Sequence, residues 1–159
     1  MLASKLLFQM NRAASQIQNL ATHLIAYESG NNNASEKITP AAFFIIEKLR
    51  PNLVSLMGNG GFSLLLSRAL TLAKRQVSWL GMVSVNTAGD LEGLAESLAR
   101  IDRDEFLKGR VALLAHLFGS LMDLIGEEVT LRMVRDIWPR ASLNGWDDLA
   151  KEITNEDAR

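Results

Sequence analysis

Cysteine is absent from the 159 residues, which excludes a disulfide framework, a thiolate zinc site, a thiol nucleophile and a cysteine-held iron–sulfur cluster. Histidine is scarce: only His23 and His116 could serve as imidazole bases, and no serine lies in a Gly-x-Ser-x-Gly elbow. A serine triad therefore has almost no support. An excess of charge is missing too, since 17 basic residues face 18 acidic ones for a formal net charge of -1. No sequence-wide field draws this chain to nucleic acid or to an anionic membrane, and no nucleic-acid partner is expected.

Long apolar runs are equally lacking. The longest stretch without a charge, Pro51 to Ser67, is interrupted by Pro51, Asn52, Asn59, Gly58, Gly60 and Gly61, so no transmembrane segment is expected. Met1 to Met10 leads into Asn11 and Arg12 rather than an apolar core and a cleavage site, which reads against a signal peptide. Asn33-Ala34-Ser35 matches a glycosylation sequon but has no other secretory feature beside it, so a cytoplasmic location is expected.

What is present is apolar side chain. Hydrophobic residues make up 48% of the chain and the mean hydropathy is +0.07, high for a domain whose size obliges it to expose much of its surface. Some of that apolar surface is expected to meet a partner. With three prolines and eleven glycines, the length and composition fit one globular domain.

The pattern along the chain is helical. Leu6, Met10, Ala13, Ile17, Leu20, Leu24 and Tyr27 follow steps of four and three, a heptad seam that serves either a bundle helix or a dimerising coiled coil. Residues 29–35, rich in Asn, Ser and Gly, read as a loop. Thr39-Pro40 opens a second helix that Pro51 is expected to break, leaving a short turn over Leu53 to Met57. Gly58-Asn59-Gly60-Gly61 stops it, and Phe62 to Leu80 resumes as a third helix. This glycine run is neither a Walker loop nor a dinucleotide fingerprint, for no Gly-Lys-Ser/Thr follows and no strand precedes. Val83-Ser84-Val85 is read as extended loop, because an isolated strand has no partner. Asp90 caps a modest helix through Leu91, Leu94, Leu98 and Ile101. Asp102 with Glu105 resembles a capping box, and the helix it opens is expected to reach Trp138-Pro139.

The fold class expected is therefore all-α, a single-domain bundle of five or six helices with one long central C-terminal helix. Residues 1–139 form the bundle, and residues 140–159 form an acidic tail in which Trp146, Leu149 and Ile153 make a short amphipathic turn.

At 100° per residue, His116, Ser120, Asp123 and Glu127 fall on one face of the long helix, a polar stripe among leucines. Two readings compete: a solvent-facing strip, or the wall of an interhelical groove in which His116, Asp123 and Glu127 bind a polar ligand. Arg68 and Arg75, along one face of the third helix, supply either ion-pair partners for those carboxylates or the cationic half of the same ligand site. The Glu-x-x-His pairs of di-iron bundles are absent, so no metal and no cofactor is expected. Trp79 and Trp138 are expected to cover the bundle ends, and Trp146 to contact another chain.

Leu113 to Pro139, LLAHLFGSLMDLIGEEVTLRMVRDIWP, together with Gly58 to Lys74, GNGGFSLLLSRALTLAK, resembles an all-helical bacterial family without an assigned activity. The resemblance implies a bacterial origin and a helical fold, and carries no catalytic residue.

The function expected is a non-enzymatic interaction or regulatory module that forms a homodimer or binds another protein. Its interface would use Leu6, Met10, Ile17, Leu20, Leu24 and Trp146. The alternative is a small-ligand-binding protein or enzyme using His116, Asp123, Glu127, Arg68 and Arg75. Membrane association through the leucine-rich helices gets little help from a near-neutral chain.

Overall fold

Leu20, Ala21, Leu24, Ile25 and Glu28 recur at helical spacing, and in the computed structural model, which describes residues 15–28 and 43–141, these side chains are the buried face of the first helix. This helix, α1, is described over residues 15–28. Predicted Leu6, Met10 and Trp146 lie outside the described residues, as does nearly all of the acidic tail.

The second helix, α2, spans Phe44–Lys74. It runs straight through Pro51, contrary to the expected break there. Proline removes one backbone donor, and the buried Leu49 and Leu53 on either side, both 0% exposed, hold the turn together. The bend comes at Gly58 instead, whose φ of 76° and ψ of 171° are not helical. Asn59, Gly60 and Gly61 are already helical beyond it, and the helix ends at Lys74 rather than Leu80.

A one-turn 3-10 helix, Ser78–Met82, follows. Ser84–Val85 then does find a partner: β1 (Ser84–Val85) pairs antiparallel with β2 (Leu91–Glu92), Ser84 opposite Glu92 and Val85 opposite Leu91. Asp90 is thus the end of a hairpin loop and not a helix cap. Asn86 forms that loop by accepting the N–H groups of Ala88 and Asp90 on its Oδ1, at 3.0 and 2.9 Å. The helix expected from Asp90 shrinks to α3, Leu94–Leu98.

Asp102 does cap α4, Arg103–Ile125, its Oδ1 accepting the Glu105 N–H at 2.9 Å. The single long C-terminal helix is not formed. Gly126, with φ 91° and ψ 156°, separates α4 from α5, Glu127–Ile137. Gly58 and Gly126 thus break helices with nearly the same backbone angles, in a region that only glycine adopts readily.

The described chain is predominantly helical, with one two-stranded hairpin. Its core lies where α2 packs on α4, with α5 against both. Phe62, Leu66, Leu117, Phe118 and Leu121 are all completely buried there. By length and composition the span Ile45–Lys74 is long and apolar enough to cross a membrane, a test that core helices also pass.

Candidate functional site

The polar stripe is divided by the fold. His116 is half-buried and its Nε2–H donates to Oε1 of Gln76 at 3.2 Å, which ties α4 to the turn after α2. Burial lowers the His116 pKa below its ordinary value. Ser120 is 8% exposed, whereas Asp123 and Glu127 are both exposed. The arithmetic that set Glu127 on the face of Asp123 assumed an unbroken helix, and Gly126 interrupts it.

Arg68 and Arg75 are exposed, and among the described residues no ion pair joins either of them to Asp123 or Glu127. No group of three His, Asp or Glu side chains stands close enough to hold a metal ion, again among the described residues. The first-helix seam is spent inside the chain: Leu20 and Leu24 are 4% and 0% exposed, and Ile17 packs against the core. Leu20 and Leu24 are thus enclosed by this chain itself, while Ile17 is half-buried.

Other polar residues are more tightly engaged. Glu28, 2% exposed in α1, accepts on one oxygen from Lys48 Nζ and from Trp138 Nε1, each at 2.5 Å. Arg50 bridges α2 to the hairpin loop. It donates to both Glu47 oxygens at 2.9 Å, to the carbonyls of Ala88 and Gly89 at 3.1 and 3.0 Å, and to Asp90 Oδ1 at 3.1 Å. Its guanidinium also lies 4.9 Å over the Phe62 ring, and the Glu47 hydrogen bond, ahead of the cost of burial, raises its pKa. Apart from the local Glu47–Arg50 pair and the Phe62 ring, these contacts join residues 20 to 110 apart in sequence, so no local spacing announces them.

A groove of about 440 Å³ is lined by Trp79, Met82, Glu96, Ser97, Arg100 and Ile101, within the size range of ligand pockets. Trp79 is fixed as its wall, for its Nε1–H donates to the Glu105 carbonyl at 2.7 Å. Gly109 makes room for the indole: a Cβ there would lie 2.2 Å from Trp79 Cζ2. Trp79 thus sits in the connection after α2, not at its end. The sequence signal for the groove was the pair of glycines, Gly93 and Gly109, at which the chain approaches Met82 and Trp79 closely.

Exposed apolar side chains flank the bend in α2. Leu56 is 57% and Leu64 74% exposed, and Gly58, Asn59 and Gly60 between them are exposed as well. Around the other glycine break, Leu124 and Val129 are exposed but stand among Asp123, Glu127 and Glu128.

No known protein family, curated protein or solved structure matches the chain.

Proposed function

We propose that the chain is a non-enzymatic helical-bundle interaction module that associates with a second copy of itself through the bend of α2. The observation that carries this reading is the neutral apolar surface around Gly58, where Leu56 and Leu64 project with no charged residue between Pro51 and Ser67. A symmetric contact sets each residue near its own copy, so like charges on the contacting patch repel. The stretch from Pro51 to Ser67 adds no charge of its own, the nearest being the exposed Arg68 one turn after Leu64, whereas the surface around Gly126 carries several carboxylates. The most apolar stretch of Ile45–Lys74 has mean hydropathy 1.2 and is only 33% buried, so α2 leaves apolar surface exposed, which supports this reading.

Sedimentation velocity tests the proposal. The wild-type chain is expected to show a reversible monomer–dimer equilibrium, and Leu56→Asp with Leu64→Asp to shift it to monomer while the helical circular dichroism is retained. A dimer indifferent to both substitutions overturns the assigned contact.

A second reading, a small-ligand protein, is favoured by the groove at Trp79 and Met82. It places apolar walls beside Glu96 and Arg100, suited to a small amphiphile. Its test is a co-purified mass that disappears when Ile101→Trp fills the groove.

A further inference from the structure

The loop between β1 and β2 reaches α2 on both sides of the Gly58 bend. Before the bend, Arg50 donates to the carbonyls of Ala88 and Gly89 and to Asp90 Oδ1. Beyond it, Ser63 Oγ donates to the Asn86 carbonyl at 2.8 Å. Gly89 packs against both arms of the helix at once: a Cβ there would lie 2.8 Å from Phe62 Cδ1 and 3.3 Å from Arg50 Nη1. Its φ of 82° also favours glycine. The Arg50 guanidinium in turn lies over the Phe62 ring, so a side chain from before the bend touches one from beyond it.

The bend does not fix its own angle. Glycine has the widest backbone freedom of any residue, Gly58 is exposed, and among the described residues no atom lies within 4 Å of where its Cβ would be. The angle is left to contacts that span it. Some come from the core, through Leu49 and Leu53 on one arm and Phe62 and Leu66 on the other. The hydrogen-bonded ones come from the loop. Its hairpin has two residues in each strand, too few to be stable alone, so the loop keeps its place through what it grips on α2.

We propose that the loop of residues 86–90 is a clasp on α2. With Gly89 seated against Arg50 and Phe62 it holds the two arms at the Gly58 bend, and when it lifts the arms hinge. The consequence for assembly rests on the self-association proposed above. Leu56 and Leu64 stand on different arms, so their spacing is defined while the clasp is seated. Association of two copies through these residues then favours the seated state, and seating favours association, by linkage.

The chain has no cysteine, so spin labels on Asn52→Cys and Thr71→Cys, both exposed positions, report the distance across the bend by pulsed electron paramagnetic resonance. Excess unlabelled chain suppresses distances between copies. The otherwise wild-type chain is expected to give one narrow distance. Gly89→Ala and Arg50→Met are each expected to broaden it with helical circular dichroism retained, and to raise the dimer dissociation constant about tenfold, an ordinary coupling between two sites. An unchanged distribution in both variants overturns the clasp and assigns the angle to the core alone. A broadened distribution with an unaltered dimer constant overturns the link to association. Should both variants fail to fold, Ser63→Ala removes a single hydroxyl and is expected to broaden the distribution to a smaller extent. Its failure to do so overturns the clasp. A monomeric wild-type chain overturns self-association and the link to it, and the distance within one copy decides the clasp separately.

Discussion

One oxygen of Glu28 accepts the indole N–H of Trp138 at 2.5 Å, joining residues 110 apart in sequence, and the same oxygen accepts from Lys48. Glu28 and Trp138 are each 2% exposed, so the carboxylate depends on these donors in place of water. Trp138→Phe keeps most of the ring and removes one donor. It is expected to cost about 1–3 kcal/mol in chemical denaturation, the penalty of leaving a buried polar group short of a partner. Glu28→Gln in the Trp138→Phe background should then cost less than it does alone, which a double-mutant cycle measures.

Gly58→Ala and Gly126→Ala are each expected to cost about 1–3 kcal/mol, because both positions hold angles that strain any residue with a Cβ. At neither glycine does an added Cβ meet an atom within 4 Å, so the loss is of backbone origin. Urea midpoints of the two variants check this. A neutral outcome at both positions would show that the bends are not fixed at these residues.

Gly109→Ala drives a methyl group into the Trp79 indole, 2.2 Å from Cζ2. Overpacking of this kind costs about 1–3 kcal/mol. The variant is also expected to weaken the Trp79 hydrogen bond to the Glu105 carbonyl. Trp79→Leu should relieve most of the loss, which thermal denaturation of the single and double variants measures.

His116 gives the fold a pH dependence of defined sign. Burial lowers its pKa in the folded chain, so the unfolded chain binds the proton first as pH falls. Stability is therefore complete above the unfolded value of about 6.5 and is lost progressively as pH drops from there to the lower folded value. The acid-side fall in melting temperature is expected to be smaller in His116→Gln.

Local chemistry made much of the fold legible. Asp102 was recognisable as a cap because capping depends on a side chain and a backbone N–H three residues away. The helical character of residues 15–28 followed from apolar spacing, as did that of much of α2 and α4. What escaped was decided by tertiary packing. Pro51 signals a break by local rules, and the buried Leu49 and Leu53 override it. Val83-Ser84-Val85 looked unpaired because its partner, Leu91–Glu92, was assigned to a helix by a capping pattern. The helix expected from Asp102 to Trp138-Pro139 contains Gly126, and sequence does not distinguish a glycine at a close helix crossing or kink from one that ends the helix. The same misreading put Glu127 in line with Asp123. The seam through Ile17, Leu20 and Leu24 was correctly apolar, but a spacing pattern is silent on whether its partner lies in the same chain. For Glu28 the sequence carried no signal, because its significance lies in burial and in Lys48 and Trp138, both distant along the chain.

Native mass spectrometry of freshly purified protein tests self-association most directly, because it reports stoichiometry and any bound mass together. The predicted result is a dimer with no organic ligand attached, converted to monomer by Leu64→Asp. A wild-type monomer, bare or carrying a co-purified molecule, would contradict it.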